Sequence, residues 1–398
     1  MEPEPEPDMG PEPDVAEQPA VDRAQFTHRL GKYLINLAQT PLGTGTYGKV
    51  VDATHEETGE VFAMKLAFEQ SGSQAQLHEV MTQQACQAHE FVVPIKDILY
   101  GHIVSLGPTS PNSHEPKQLA VVMEKLGGGD LFAEVVADSG MHEDKAKIFF
   151  RQILLAVAHV HARGVAHRDM KIENLLLTAD KTACKVCDFG LSKYLSEDGL
   201  ASTILGSVQY IAPEVVDPAV DKYDGRKADM WSCGAALYVM VECAHPFPEV
   251  QDNVLTGNPR MLARLKVTQQ LIVPRSRDLV CLTAVTRGCN QAAEYTLKPG
   301  HTPEFVAFLE RLLSPDIGRR YSAEEALADP WLCSPPLDAT TWGYLLRREL
   351  ESYSTLQPPA VPGNYIGRDA WLAQVAVLTG HAPDEGTPPS DDEEETGF

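Results

Sequence analysis

Gly43, Gly45 and Gly48 give the spacing G-x-G-x-x-G in the stretch L-G-T-G-T-Y-G-K-V at 42–50. Glycine lets backbone amides approach an anion closely, so such a loop is suited to phosphate. Three phosphate-binding architectures share the spacing. A Walker A loop needs Ser or Thr directly after its lysine to hold magnesium, and this chain has Val50 after Lys49. A dinucleotide fingerprint needs a helix directly after the glycines, whereas K-V-V-D-A-T at 49–54 reads as a strand. Strand, glycine loop, strand remains, a flap that lies over phosphates. The next run, V-F-A-M-K at 61–65, alternates as a strand and ends on Lys65.

Further along come H-R-D-M-K-I-E-N at 167–174, C-D-F-G at 187–190 and A-P-E at 212–214. Together with the glycine loop and the strand lysine, these ordered motifs resemble the signature set of eukaryotic protein kinases. The resemblance covers residues 33–331 and implies a two-lobed α+β fold that uses ATP and Mg2+ to phosphorylate protein substrates. It implies that Lys65 grips the α and β phosphates, steadied by a Glu from a small-lobe helix. Glu79 is the only acid between Gln70 and His89, so it is the available partner. Asp188 and Asn174 are then the metal-binding positions, Asp169 orients the acceptor hydroxyl and takes its proton, and Lys171 stabilises the transferring phosphoryl group. The remaining ATP-binding positions are Leu42, Val50, Ala63, Met123 as gatekeeper, Glu124 and Leu126 of the connecting backbone, Asp130 and Leu176. None of the chemical positions is substituted, which argues for an active enzyme over a pseudokinase or scaffold acting through its tails and insertions.

Lys171, two residues after Asp169, is the pattern of serine/threonine rather than tyrosine kinases. The wording G-G-G-D-L-F and K-I-E-N is similar to the calcium/calmodulin-dependent and related basophilic groups. In them Asp130 and Glu173 would read basic residues near the acceptor; in the blander reading Asp130 bonds ribose and Glu173 is a solvated charge. Residues between Gly190 and Ala212 form the expected activation loop, with Thr203 as phosphosite for an upstream kinase and Ser202 as second choice. Arg168 and Lys193 would face that phosphate. Ser207 is placed beside Asp169 as a substrate-contacting residue. Glu214 with Arg320, and Asp229, are expected to hold the fold together.

These residues need elements to carry them. Short β-branched runs with intervening glycines dominate 33–123, interrupted by one helical candidate at 74–88. From Leu131 onward helical periodicity takes over, as at 144–162, where Ala146, Phe149, Phe150, Ile153, Leu154 and Val157 recur three and four apart. Hence a β-rich lobe at 33–123, a connector at 124–129 whose glycines suit flexibility, and a helical lobe at 130–331.

The chain has 398 residues and a formal net charge of −23. Residues 1–22 hold eight acids and six prolines without Lys or Arg, and 384–398 hold seven acids, again without a cation. Both read as disordered acidic segments, with 332–383 an extension containing two possible short helices, at 342–353 and 369–378. The body is then close to ordinary in charge, and nucleic acid is an unexpected partner. Two stretches exceed a minimal domain, a polar insertion at 107–117 and a long interval at 247–312. Within the latter, 260–298 carries seven Lys or Arg against Asp278 and Glu294, a basic segment that the acidic tail could contact. No apolar run reaches a membrane span, and eight scattered cysteines suggest free thiols in a reducing compartment. The expected location is the cytoplasm, with the nucleus also open. Cys184 and Cys187 face opposite sides of one strand and do not form a metal pair; Cys187 is a candidate accessible thiol near the nucleotide.

Overall fold

The computed structural model describes residues 21–44, 48–67, 73–106, 117–195, 200–203, 206–207, 209–217, 220–247, 281–285 and 292–333. Gly45, almost all of the N-terminal acidic arm, most of the basic segment 260–298 and everything after Cys333, including the acidic tail, lie outside the described residues.

The two-lobed α+β arrangement implied by the resemblance is what forms. In the small lobe, β1 (His28–Leu30), β2 (Tyr33–Ile35), β3 (Gly43–Thr44), β4 (Gly48–His55), β5 (Val61–Ala67), β6 (Ile95–Gly101), β7 (Val104–Ser105) and β8 (Gln118–Met123) make one sheet. Its order is β6-β8-β5-β4-β2-β1-β7, with β3 paired to β4. Because β6 and β7 are adjacent in sequence yet lie at opposite ends of that order, the sheet curls almost shut around Leu30, Ile35, Val51, Phe62, Met64, Ile103 and Val122. Curling protects strand edges that would otherwise expose unpaired amides. β1 begins before residue 33, where the domain was expected to start, and β7 immediately precedes the polar insertion.

Strand β5 shows how the sheet serves the cleft. Its alternation buries Phe62, Met64 and Leu66 and turns Ala63 and Lys65 to the other face. Register places Val50 opposite Lys65 and Gly43 opposite Val50, so loop and lysine share one surface. Gly48 admits no side chain there, since a Cβ would lie 2.3 Å from the Leu66 carbonyl oxygen. Helix α1 (Ser73–Cys86) packs on β8 through Val80 and Val121, flanked by Leu77, Met81, Ile95, Ile98 and Met123.

In the large lobe, α2 (Leu131–Asp138), α3 (Glu143–Ala162) and α5 (Gly225–Glu242) build the core, and short α4 (Pro213–Val216) follows the A-P-E alanine. α5 is buried along almost its whole length, as expected of a helix apolar on all faces. Pro303–Leu312, Ala323–Leu327 and Pro330–Cys333 form α6, α7 and α8. The short strands β9 (Val165–Ala166), β10 (Leu175–Leu177), β11 (Cys184–Val186) and β12 (Lys193–Tyr194) flank the H-R-D and D-F-G motifs; β10 pairs with β11 and β9 with β12. Among the described residues no helix is long and apolar enough to cross a membrane.

The glycine connector is not loose. A Cβ on Gly128 would sit 2.3 Å from the Thr178 carbonyl oxygen, the Gly128 amide donates to Leu177 at 3.0 Å, and Leu177 donates back to Gly129 at 2.8 Å. These glycines serve close backbone packing against β10, a correction to the expectation of flexibility.

Glu214 of α4 meets Arg320 within the large lobe at 2.5 and 2.9 Å, a two-pronged contact with Arg320 0% exposed. Arg320 Nη1 also donates to the Lys227 carbonyl at 2.8 Å and Nε to that of Ser314 at 2.9 Å, so its desolvated charge is met on every side. Arg320→Ala leaves Glu214 buried and unpaired. It is expected to lower unfolding free energy by about 3–5 kcal/mol, measured by urea titration; an unchanged midpoint would contradict the account.

Candidate functional site

Lys65 reaches across the cleft. Its Nζ lies 2.5 Å from Glu79 Oε1 of α1 and 3.0 Å from Asp188 Oδ1 of the large lobe. Burial alone would push the ammonium down, but the two carboxylates outweigh it and hold Lys65 above the ordinary lysine range. For Asp188 burial acts upward, and the Lys65 cation more than reverses it, so this carboxylate is held below its usual range. Lys65 is therefore a fixed cation at neutral pH, with the side chain of Asp188 still 45% exposed toward the cleft.

Below it lies the catalytic loop. Asp169 is 7% exposed, and its carboxylate is ringed by donors. Lys171 Nζ is 2.6 Å from Oδ2, Asn174 Nδ2 is 3.0 Å from Oδ2, and Ser207 contributes its amide at 3.1 Å and its hydroxyl at 2.8 Å to Oδ1. Lys171 also donates to Ser207 Oγ at 2.9 Å. A carboxylate with this many donors is held in one orientation, and the Ser207 hydroxyl shows how an alcohol presents its proton to it. Asn174 donates its Nδ2 hydrogens to Asp169, which leaves its side-chain oxygen for other work.

The loop's geometry is held from beneath. Arg168 and Asp188 both have positive φ, 62° and 60°, a conformation that costs a non-glycine residue about 1–3 kcal/mol and persists only when its surroundings enforce it. Asp229, 1% exposed in α5, accepts the backbone amides of His167 at 2.8 Å and Arg168 at 2.7 Å, and His161 Nε2 lies 2.8 Å away. That carboxylate is the enforcer. His167 packs its ring on Phe189, centroids 4.9 Å apart, and its Nε2 lies 3.1 Å from the Cys187 carbonyl.

Arg168 has a second function available. Its Nη1 donates to Thr203 Oγ1 at 2.8 Å and its Nε to the Leu191 carbonyl at 2.7 Å. The Thr203 hydroxyl thus already rests on a guanidinium. Lys193, in β12, is registered with Ala166 two residues before Arg168.

At the connector, the Glu124 amide donates to Pro94 at 3.2 Å, while the Glu124 carbonyl and Leu126 amide meet no partner among the described residues. They are the groups left to pair with a base. Met123 is half-buried at the end of β8, with Gln83 Nε2 3.6 Å from its sulfur. Leu42 is 52% exposed, and Leu176 is bridged to Asp130 across the cleft floor. Asp130 caps α2, Oδ1 accepting from the Ala133 amide at 2.8 Å, a role that the sequence reading missed. D-L-F-A before an apolar periodic run was the available signal. Glu173 is exposed. Cys184 is fully buried and Cys187 half-buried, and burial pushes both thiols well up. Cys187 is thus partly accessible, as read from the sequence, but its thiol is held in the neutral form and is no ready nucleophile.

Comparison with known proteins agrees with this geometry. The protein kinase domain model matches residues 38–332. CBL-interacting serine/threonine-protein kinase 3 of Arabidopsis thaliana is 36% identical over 230 residues, 57% of this chain and 48% of that protein. CBL-interacting serine/threonine-protein kinase 26 of the same plant is 31% identical over 314 residues, covering 78% of this chain and 61% of its own. CBL-interacting protein kinase 31 of Oryza sativa subsp. japonica is 30% identical over 306 residues, 76% and 58%. The chain therefore spans about half to three fifths of the length of these curated relatives.

Asp229→Ala removes the acceptor of one buried and one part-buried amide that hold a strained turn. Each orphaned amide costs about 1–3 kcal/mol, so unfolding free energy is expected to fall by at least ~2 kcal/mol in a urea titration. A wild-type midpoint would show that the loop is held by something else.

Proposed function

This chain belongs to the protein kinase family, and on that premise we propose that it transfers the γ-phosphoryl group of ATP to serine and threonine hydroxyls of protein substrates. The observation that carries the reading is the set of contacts around Asp169, in which Lys171, Asn174 and the Ser207 hydroxyl converge on one buried carboxylate. In transfer, the acceptor oxygen attacks phosphorus, the bond from phosphorus to the β,γ-bridging oxygen breaks, ADP departs and the acceptor's proton passes to Asp169. Lys171, already within reach of both Asp169 and a hydroxyl, faces the charge that spreads over the phosphoryl oxygens.

Lys65 holds the α and β phosphates, and the Glu79 contact keeps its ammonium in place. Gly43 and Gly48 leave the backbone of β3 and β4 free of side chains where the phosphates approach, and Val50, Ala63, Met123, Leu126 and Leu176 enclose the adenine. Glu124 and Leu126 pair with it through their backbone. Asp188 and the side-chain oxygen of Asn174 suit a hard cation with few protein ligands, as magnesium is. Magnesium there would neutralise phosphate charge; the chain's own part would be to supply those oxygens.

Exposed Glu173, together with whichever oxygen Asp130 leaves free of its cap, favours substrates with basic residues near the acceptor. The Arg168–Thr203 contact supports Thr203 as a phosphosite for an upstream kinase: a phosphate there adds about 1.5–2 negative charges directly on a guanidinium.

The test is γ-labelled ATP with magnesium and a positional-scanning peptide library. Wild type is expected to label Ser and Thr peptides, preferentially those with Arg two or three residues before the acceptor, and Asp188→Ala to label none. Thr203→Ala is expected to reduce turnover of protein pretreated with an activating kinase. Equal labelling by Asp188→Ala would refute the enzyme, and an absence of Arg preference would refute the substrate class alone.

A further inference from the structure

Helix α1 must hold Glu79 within reach of Lys65, yet it is poorly equipped to dock by apolar burial. Among its residues from Gln76 on, Val80 and Cys86 are the fully buried apolar ones, while Glu79, Thr82 and Gln83 are buried and polar. Its carboxyl end is fixed, because Arg163 Nη1 from the end of α3 donates to the Ala85 carbonyl at 2.8 Å and Gln83 Nε2 donates to Val93 at 2.9 Å. The half that carries Glu79 has a different attachment.

Thr82 Oγ1 lies 2.6 Å from Ser192 Oγ, and Ser192 Oγ lies 2.6 Å from the Phe189 carbonyl oxygen. Thr82 is 0% and Ser192 2% exposed, so no water replaces these bonds. Each hydroxyl has one proton. With Ser192 donating to Phe189 and Thr82 donating to Ser192, the chain of bonds runs from α1 into the D-F-G segment. Two further contacts run beside it: His78 Nε2 is 3.0 Å from the Ser192 carbonyl, and the Tyr194 hydroxyl donates to the Met81 carbonyl at 3.2 Å. Thr82 Oγ1 is also 3.0 Å from the His78 and Glu79 carbonyls of its own helix; with its proton committed to Ser192 these are close approaches and not further hydrogen bonds, and the latch acts on Glu79 through the helix backbone that joins the two residues.

We infer that Thr82 and Ser192 form a hydroxyl latch that positions the two carboxylates flanking Lys65, Glu79 through the helix and Asp188 through the Phe189 backbone. Both are positioning residues: neither touches the reacting atoms. The latch is buried polar structure in a low-dielectric site, where a hydrogen bond is directional and its loss leaves an unsatisfied partner. It couples small-lobe helix to large-lobe segment, so that misplacing either releases both contacts on Lys65.

The inference rests on the proposed kinase reading for its activity readout, and its test keeps the two apart. Thr82→Val keeps the shape and removes the hydroxyl; Ser192→Ala removes its partner; Thr82→Ser keeps the bond. Thr82→Val and Ser192→Ala are each expected to lower kcat by about 10- to 100-fold, the range that misplacing a reacting group costs, with Thr82→Ser restoring most of it. Because the Thr82–Ser192 bond is lost in either variant and Ser192→Ala also loses the bond to Phe189, the double variant should lose little more than Ser192→Ala alone. In parallel, hydrogen exchange of a peptide covering 76–86 should speed up in Thr82→Val and Ser192→Ala, and not in Thr82→Ser. Additive losses in the double variant, or wild-type exchange of that peptide in both single variants, would overturn the latch. If wild type transfers no phosphate, the kinase reading fails and the exchange comparison alone decides the latch.

Discussion

The ammonium of Lys65 is where the molecule's parts meet. It leaves the β5 strand of the small lobe, touches the helix through Glu79 and touches the large lobe through Asp188. A buried cation is tolerated only if opposite charge surrounds it, and here that charge comes from two elements far apart in sequence. The sheet must therefore curl, the helix must pack on β8 and the D-F-G segment must turn if the partly desolvated Lys65 ammonium is to be balanced in the folded chain.

Strain in the large lobe follows from that geometry. Asp188 can face Lys65 because its backbone adopts φ 60°, and Arg168 at φ 62° brings its side chain toward Thr203. Neither conformation is favourable in isolation. Asp229 takes the amides on one side, the Phe189 carbonyl receives Ser192 on the other, and the ring of Phe189 sits against His167 between them. α5 supplies Asp229 because its apolar surface on all sides fixes it at the centre of the lobe. The buried ion pair of Glu214 and Arg320 fixes the far end of the activation segment. The geometry of the candidate site is thus enforced by buried polar contacts, each of which leaves a costly orphan if broken.

Much of this was legible in the sequence. The motif residues are read directly because chemistry demands their types, and Glu79 follows because no other acid lies on the candidate helix. Alternation in V-F-A-M-K placed Lys65 on the cleft face. What was not legible depends on distance in space. Thr82 and Ser192 are ordinary residues 110 positions apart, and no local pattern marks two hydroxyls that meet only after the lobes close. The pairing of β1 with β7 involves strands too short to show periodicity. The connector glycines were misread for the same reason: glycine signals freedom and tight packing alike, and only the Thr178 carbonyl beside Gly128 tells which applies.

The account turns on whether Lys65 works as a held cation. The most direct measurement is a single-turnover assay of γ-phosphoryl transfer from ATP to a basic serine peptide, comparing wild type with Lys65→Met, a side chain of similar length without charge. Loss of a preorganised charge that stabilises the transferring group costs about 100-fold or more, and the account predicts a fall of that order in a protein that melts as a single folded species. Transfer by Lys65→Met at the wild-type rate would contradict it.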